Sequence, residues 1–287
     1  MIGPFIGVLY DGFAYGMLLF LLSVGLSVTL GMMNFVNLAH CAFGMLGGFV
    51  TVTLINDMHW PFLLTLPIAF LAAAAASGVF ERLLYRRLYG KSDLDQCLLT
   101  IGIVFMAIAS AAYLFGTIQQ PVQLPSWLRG SFTVMDRSFG VYRSFLILVA
   151  LALTAALVLM LEYTSFGAKV RAAVDNQRMA RGIGIDVDRV FALTFALGSG
   201  LAGLGGALAI DITGLDPNFA LTYLVFVLIV VAVGGLGSIG GSFAAASLLG
   251  ISDTAGKYYF PEISSFLIYL VMVGILMWRP AGLFGKR

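Results

Sequence analysis

The sequence predicts an all-α protein, a polytopic bundle of eight to nine membrane-spanning helices. Of its 287 residues, 60% are hydrophobic and only 10% are charged, and the mean hydropathy is +1.00. A soluble domain carries about 25% charged residues, so this chain lacks the polar surface that a soluble globule needs. Its charges are also confined to short stretches between long apolar runs. We therefore expect one transmembrane domain over residues 1–287.

The uncharged runs determine the expected number of spans. Two of them, 12–56 and 217–252, are too long for one crossing, because the 36 residues of the second would reach about 54 Å as a helix, against a hydrocarbon core of about 30 Å. We expect the first to break near 31–37 and the second at its glycines. The total is nine crossings, or eight if one half-segment is re-entrant. The runs that suit a single crossing are 58–80, 96–128, 144–161, 190–210 and 263–278.

The break in the second long run contains a literal G-x-G-x-x-G, from Gly235 to Gly240, behind a run of β-branched residues. A dinucleotide-binding turn also needs a preceding strand, a following helix and an acidic residue about 20 positions on. The nearest later acid is Asp253, and apolar membrane segments flank the motif. We interpret it as a tight turn between helices, with a moving or pathway-lining role left open. The residues of this glycine turn are Gly234, Gly235, Gly237, Gly240 and Gly241.

Lys and Arg residues cluster in three segments that alternate crossings would place on one side of the membrane. Twelve of the 16 basic residues lie there. Because basic loops tend to stay in the cytoplasm, this side should be cytoplasmic, with the N-terminus outside for nine crossings and inside for eight. The three segments contain Arg82, Arg86, Arg87 and Lys91; Lys169, Arg171, Arg178, Arg181 and Arg189; and Arg279, Lys286 and Arg287.

No part of the chain outside the predicted spans is large enough for a catalytic domain. The longest outer segment, about 118–142, contains prolines and Trp127 and is typical of an interfacial loop. The sequence has no Walker A motif, so the chain itself should not bind ATP through a P-loop. Cys41 and Cys97 lie in predicted membrane segments without zinc-ligand spacing, and we expect reduced core thiols. We predict no catalytic residue, no metal site and no bound cofactor.

One segment of the basic side, 165–190, has mixed charge and a helix-forming composition. Gly182 and Gly184 should end this helix, and Asp186 or Asp188 could cap the next one. The segment is too short and too weakly apolar to span a membrane. It is either a solvated loop helix or a docking helix for a cytoplasmic partner. The apolar positions that can share one face are Val170, Ala173, Val174 and Ala180.

Asn34, Asn37 and His40 recur at a spacing of three residues in an otherwise apolar segment. On a helix, that spacing would place them on adjoining parts of one face. Polar groups at membrane depth are costly unless partners or water satisfy them. Two interpretations stay open: these side chains bond between helices, or they line the passage of a zwitterionic or amide cargo.

Together these segments resemble the permease subunits of branched-chain amino acid ABC importers, the Liv type, over nearly the whole chain. The strongest match is RAAVDNQRMARGIGIDVDRVFALTFALGSGLAGLGGAL, residues 171–208. Further similar segments are ERLLYRRL, VAVGGLGSIGGSFAAASLLG and the tail RPAGLFGKR. MNFVNLAHCAFGMLGGFV, 33–50, is similar to the N-F-A-H-G segment of that family. It departs from it because three residues separate Phe35 from Ala39, and Cys41 stands where Gly is usual.

The resemblance implies an ABC permease fold without enzymatic activity of its own, in the bacterial cytoplasmic (inner) membrane. The implied partners are a second similar permease, two cytoplasmic ATPases that bind ATP and Mg, and an extracytoplasmic substrate-binding protein, but no nucleic acid. The segment 169–184 would be the coupling helix, lying in a groove of one ATPase. The implied cargo is a branched-chain or related small amino acid. The implied coupling residues are Arg171, Ala172, Ala173, Asn176, Ala180, Gly182 and Gly184.

Other kinds of transport protein remain as alternatives. The same class of transporter can carry urea, an amide or a small aromatic acid. A secondary transporter would place acidic residues at the membrane midplane, whereas the uncharged runs here hold only two groups that titrate near neutral pH, His40 and, at the edge of its run, His59. A passive channel for a small neutral solute is the third possibility. Co-purification with ATPase subunits would separate the importer from the last two.

Overall fold

The computed structural model describes residues 2–33, 35–134 and 137–285. Within them the chain forms helices joined by short connections, with one β-hairpin, so the all-α prediction is confirmed. The α-helices are α1 (Ile2–Met33), α2 (His40–Asn56), α3 (Phe62–Leu83), α4 (Asp93–Phe115), α5 (Val141–Tyr163), α6 (Ser165–Asp175), α7 (Gln177–Gly182), α8 (Val187–Thr213), α9 (Phe219–Gly234), α10 (Ile239–Tyr259) and α11 (Ser264–Trp278). A 3₁₀ turn covers Tyr85–Arg87, and the hairpin strands are β1 (Ser131–Val134) and β2 (Arg137–Gly140).

Both long apolar runs break where the sequence predicts. The first is divided between α1 and α2, with residues 35–39 outside any helix. The second is divided between α9 and α10 at the glycine turn. The element before the G-x-G-x-x-G is therefore a helix and not a strand, which removes the dinucleotide-binding interpretation.

Five of the described helices are long and apolar enough to cross a membrane by themselves: α1, α3, α4, α5 and α8. Three shorter apolar helices, α2, α9 and α11, have 15 to 17 residues. The less apolar α10 has 21 residues. The count of eight or nine crossings therefore stays a prediction, because about 20 residues are needed for each span.

Helices α1 and α8 form the centre of the bundle, and their apolar windows are mostly buried inside it. α1 packs along α10 and α8, while α2, α3 and α8 all pack against one another. Helices that are apolar on every face are expected in such positions. By contrast, α4 and α5 bury little of their apolar surface within this chain.

Glycines allow the central helices to approach closely. A β-carbon built at Gly25 of α1 would overlap the carbonyl oxygen of Gly198 in α8, and one built at Gly47 of α2 would overlap that of Gly203. Without a hydrophobic driving force between helices in lipid, such close backbone packing is a main source of association. These pairs therefore fix how deeply α8 sits between α1 and α2.

Successive long helices run in opposite directions, so their connections collect at two ends of the bundle. One end carries the α3–α4 connection, α6, α7, the glycine turn and the tail; we call it the basic end. The three basic segments lie there as predicted, except that Lys286 and Arg287 fall outside the described residues. At the opposite, hairpin end, the Tyr10 hydroxyl donates to the Gly140 carbonyl oxygen at 2.9 Å.

The predicted interfacial loop 118–142 contains the hairpin, which the sequence analysis did not anticipate. Ser131 pairs with Gly140 across its two antiparallel strands. Trp127 packs edge-on against Phe145 of α5, with ring centroids 6.1 Å apart. The loop is also tied to the connection between α8 and α9, because the Gln120 backbone N–H donates to the Leu215 carbonyl oxygen at 2.9 Å.

Candidate functional site

The break between α1 and α2 puts non-helical backbone inside the bundle. Phe35, Asn37 and Ala39 have no exposed surface. Two of the N–H groups here bond to side chains of α4: Val36 donates to Gln96 Oε1 at 2.9 Å, and Leu38 donates to Thr100 Oγ1 at 3.2 Å. Irregular backbone at membrane depth is tolerated only where protein or a water-lined cavity satisfies it. The α4 side chains meet that requirement.

Asn37 and His40 are fully buried on either side of the point where α2 begins. The Asn37 side-chain oxygen accepts from the Ala39 N–H at 3.1 Å. His40 Nε2 donates to the Leu22 carbonyl oxygen at 3.0 Å, which leaves Nδ1 as an acceptor in the neutral ring. Within the described residues, neither Asn37 Nδ2 nor His40 Nδ1 has a partner. The break therefore offers one unpartnered NH₂ group, at Asn37, and one unpartnered acceptor, at His40.

The prediction that Asn34, Asn37 and His40 share one helical face is wrong. Asn34 lies outside the described residues, Asn37 is in the non-helical segment, and His40 is the first residue of α2. The physical reason is the Asn37 side chain, which bonds to the backbone two residues on and competes with helical hydrogen bonding. Asn37 and His40 still lie close together, because the His40 N–H donates to the Asn37 carbonyl oxygen at 3.3 Å.

An aromatic cluster supports the break from the basic end. The Phe35 ring lies 5.3 Å from that of Tyr85, 5.6 Å from that of Tyr89 and 5.8 Å from that of Phe195, measured between centroids. Burial, and then the charge of Glu81, raise the pKa of Tyr89, so its hydroxyl stays protonated and donates to Glu81 Oε1 at 3.1 Å. This cluster joins the break to the α3–α4 connection and to α8.

The sequence analysis missed the residues of other helices that hold the break. Gln96 and Thr100 are buried polar side chains on α4, and their four-residue spacing in an apolar segment was a usable signal. Tyr85 and Tyr89 show the same spacing. Their pairing with Phe35 carried no sequence signal, since it depends on how α3 and α8 pack against the end of α1.

The glycine turn combines left-handed backbone with close packing. Gly235 and Gly237 have φ of +94° and +76°, values that L side chains rarely adopt. A β-carbon on Gly237 would lie 3.2 Å from the Gly31 α-carbon. Ser238 Oγ accepts from the Gly241 N–H at 3.0 Å and caps α10. Gly240 differs from the other four, because a β-carbon there would meet no atom within 4 Å.

The C-terminal tail packs on the glycine turn. The Leu283 N–H donates to the Val233 carbonyl oxygen at 2.7 Å, and the Phe284 N–H donates to that of Gly234 at 3.2 Å. These bonds satisfy carbonyls at the end of α9 that a helix leaves unpaired. The turn thus links α9, α10, the end of α1 and the tail in one rigid contact.

The predicted single helix over 169–184 is two helices, α6 and α7. They divide at Asn176, whose φ of −152° and ψ of 96° are not helical. Its side-chain oxygen accepts from the Met179 N–H at 3.0 Å, so Asn176 caps α7. The segment is therefore a bent element. Asp186 caps α8 in the same way, with its Oδ1 accepting from the Arg189 N–H at 3.1 Å.

Several residues of the bent element that the sequence analysis assigned to a partner contact instead point toward the rest of this chain. Ala173 and Ala180 are buried in this chain, as is Val170. Their side chains therefore pack against this chain's own helices, and the assignment of Ala173 and Ala180 to a docking contact stays a prediction without exposed surface to support it. Arg171 is held by the Leu161 carbonyl oxygen. Gly182 and Gly184 are exposed, and so are Met179 and Ile183, at 65% and 74%.

Ion pairs attach α7 to the bundle. Asp188 near the start of α8 pairs with Arg86 of the 3₁₀ turn through one carboxylate oxygen. Through its other oxygen it pairs with Arg181 of α7 at 2.8 Å. Because all three side chains are partly exposed, each pair is worth about 0–1 kcal/mol. Their effect is positional: one carboxylate holds α7, α8 and the α3–α4 connection together.

Comparison with known families decides what this bundle is. A family model described as the permease component of a branched-chain amino acid transport system matches residues 8–276.

The chain belongs to this family.

Individual relatives agree with the family match. The permease is 25% identical to the high-affinity branched-chain amino acid transport system permease protein LivH of Salmonella typhimurium, over 98% of this chain and 96% of LivH. It is 25% identical to BraD of Pseudomonas aeruginosa, which carries the same description, over 97% and 95%. It is 26% identical to LivM of Salmonella typhimurium over 93% and 68%. No solved structure matched the permease. With its apolar helices, it is a multi-pass membrane protein.

Proposed function

We propose that this chain is the membrane permease subunit of an ATP-driven importer that carries branched-chain amino acids across the bacterial cytoplasmic membrane. The observation that carries the proposal is the family match, which covers residues 8–276. The relatives named for this transport align over nearly their whole length. The permease itself is non-catalytic, and ATP and Mg belong to partner subunits.

The proposed assembly has a second permease, two cytoplasmic ATPases and an extracytoplasmic substrate-binding protein. The similarity to both LivH and LivM of one organism supports a pair of related permeases. The little-buried apolar surfaces of α4 and α5 are available for the bilayer or for that second permease. The basic end faces the cytoplasm, because positive loops are retained there.

The element that docks on an ATPase is α6–α7, and its contact residues are Met179 and Ile183. Both side chains are exposed and follow each other at four-residue spacing, so they form one apolar contact on a charged surface. A push on α7 is transmitted to α8 through Asp188 and through the short connection 183–186. Since α8 packs against α1, α2 and α3, its movement rocks the helices around the break.

The passage runs past the α1–α2 break, where Asn37 and His40 offer a donor and an acceptor. A zwitterionic amino acid needs both kinds of group as it leaves water. The break is closed in the described chain, since both residues are fully buried. Opening must therefore come from the rocking of α8 and α1 against each other or from the second permease.

A secondary transporter is the less favoured function. It would need an acidic group free to bind a proton or ion near the midplane. The buried Asp253 lies six residues from the end of α10 and is paired with Lys257 at 2.7 Å. The buried Glu81 lies two residues from the end of α3 and accepts from Tyr89. Both are near helix ends and already have partners.

Transport in reconstituted vesicles tests the proposal. The permease is purified with its co-expressed partners, and uptake of labelled leucine is compared with that of urea, an amide and benzoate. We expect leucine uptake that requires ATP and the binding protein and persists with a protonophore. Uptake that the protonophore abolishes without ATP dependence would identify a secondary transporter. Uptake of urea or an amide in preference to leucine would correct the cargo.

A further inference from the structure

A pocket of about 410 Å³ lies at the basic end, below the α1–α2 break. It is formed by the end of α1, the α3–α4 connection, α7 and the first turn of α8. Its volume is in the range of small-molecule sites, about 300–1,000 Å³. The ATPase contact described above uses the exposed side of α7 and does not explain it.

The lining combines a mostly apolar floor, which also includes the buried Gln96 side chain, with a charged rim. Met33 and Phe191 form the floor together with the ring of Tyr89, whose centroid lies 6.0 Å from that of Phe191. The rim contains Arg86, Arg181 and Asp188. Both arginine side chains are more than half exposed, at 54% and 58%, so the charged rim is open to solvent above a covered floor.

The rim has the charges needed to hold a zwitterion. Arg86 and Arg181 each reach Asp188 through one terminal nitrogen, Nη2, whereas a guanidinium has five N–H donors. Each arginine can therefore also donate to a carboxylate bound beside Asp188. The Asp188 oxygens retain lone pairs for an ammonium group. Two cations and one anion also give the rim a net positive charge, which favours a ligand that brings its own carboxylate.

We propose that this pocket binds an α-amino acid with an apolar side chain on the cytoplasmic face of the permease. The carboxylate would bond to Arg86 and Arg181, the ammonium group to Asp188, and the side chain would lie on Met33 and Phe191. This inference rests on the proposed function, since it assigns to that importer a second binding site for the same class of cargo. Because the pocket lies between α7 and the break, occupancy opposes the movement of α7 relative to α1.

A cysteine at the pocket provides a local test. Gln177, the first residue of α7, lines the rim and is exposed. In a chain whose Cys41 and Cys97 are replaced, Gln177→Cys is labelled with a maleimide in vesicles that expose the basic end. We expect L-leucine to slow labelling at least fivefold. Glycine should protect less because it has no side chain. Leucinamide, which lacks the carboxylate, and 4-methylpentanoate, which lacks the ammonium group, should also protect less.

Two matched variants decide which residues carry the effect. Arg86→Gln removes a guanidinium that would donate to the leucine carboxylate. The leucine concentration needed for half-maximal protection should therefore rise at least tenfold. Arg189→Gln is the control, because it makes the same change of charge at the same end, at a residue paired with Asp186 outside the pocket. Leucinamide protection should change by less than twofold in either variant. Equal effects of the two variants, or equal protection by all four ligands, would overturn the inference.

The outcome is separable from that of the proposed function. If the intact transporter imports leucine but leucine does not protect position 177, the pocket inference fails and the proposed function stands. If leucine is not imported at all, the proposed function fails. A further measurement uses vesicles preloaded with leucine on the cytoplasmic side. If preloaded leucine slows uptake and Arg86→Gln restores the rate, the pocket binds leucine from the cytoplasmic pool. If preloading leaves uptake unchanged while leucine still protects position 177 from labelling, the pocket holds cargo that is leaving the passage.

Discussion

Single residues decide the shape of the two helix breaks. At the glycine turn, both Gly235 and Gly237 have positive φ. A β-carbon at Gly235 would overlap the Gly285 backbone, and one at Gly237 would be tight against Gly31. At the α1–α2 break, Asn37 replaces a helical hydrogen bond with one from its own side chain. The side chain that interrupts helical bonding at the α1–α2 break is thus also a polar group buried inside the bundle.

Alanine substitutions should separate the glycines that shape the turn from the one that does not. Gly235→Ala and Gly237→Ala should each cost about 1 kcal/mol or more, because both positions have positive φ and adjacent backbone. We expect reduced thermal stability and reduced transport, with ATPase docking retained. The measurement is thermal unfolding of the purified permease with vesicle uptake.

Gly240→Ala is the matched control for the turn. Gly240 lies in α10 with open space around it, so alanine should be neutral or stabilising by up to about 1 kcal/mol. A turn that tolerates all three substitutions equally would show that its geometry is not required.

At the scale of whole elements, α6 and α7 are the proposed connection between the basic end and the break. The sequence analysis expected a single coupling helix, but the element is bent at Asn176 and turns its alanines inward. Its exposed side shows Met179 and Ile183 instead. The physical cause is amphipathicity: the bundle of this chain covers the smaller apolar face, and the larger side chains remain for a partner.

Substitutions on the two faces of this element should have different results. Ile183→Asp should abolish stimulation of the ATPase and transport while the permease inserts and folds normally, because it places a charge in the proposed contact. Ala173→Glu should instead lower the amount of folded permease, since an unpaired charge in a buried site costs several kcal/mol. ATPase assays and the level of folded protein distinguish them. Normal coupling by a well-folded Ile183→Asp variant would contradict the docking assignment.

At the scale of the whole molecule, the proposed passage depends on how the bundle moves. Asn37 and His40 have no exposed surface in the described chain, so cargo reaches them only if the helices around the break separate. Some contacts of α8 with α1 and α2 are backbone against backbone at glycines, as between Gly25 and Gly198, and others pack a side chain against a glycine, as Leu22 does on Gly205. Opening of the break therefore requires α8 to move relative to both helices.

Cysteine accessibility tests whether the break opens during transport. In a background without native cysteines, single cysteines at 34, 37 and 40 are treated with a small membrane-impermeant thiol reagent. We expect slow reaction at 37 and 40 in the resting state and faster reaction in at least one nucleotide-trapped state, because a passage must become wet. Ala207→Cys, on the fully buried face of α8, is the control. Lack of reaction at all three positions in every state would place the passage elsewhere.

The amino-acid sequence by itself determined the membrane class, the two breaks and the common end of the basic segments, because composition and charge spacing act along the chain. Asn37, His40 and the glycines were also identifiable as local anomalies. Only the tertiary structure decided that Gln96 and Thr100 satisfy the break, that Ala173 faces inward, and that Arg86, Arg181 and Asp188 meet above Phe191. These facts depend on which helix faces pack together, and packing between glycine-rich apolar helices leaves no periodic signal in one sequence.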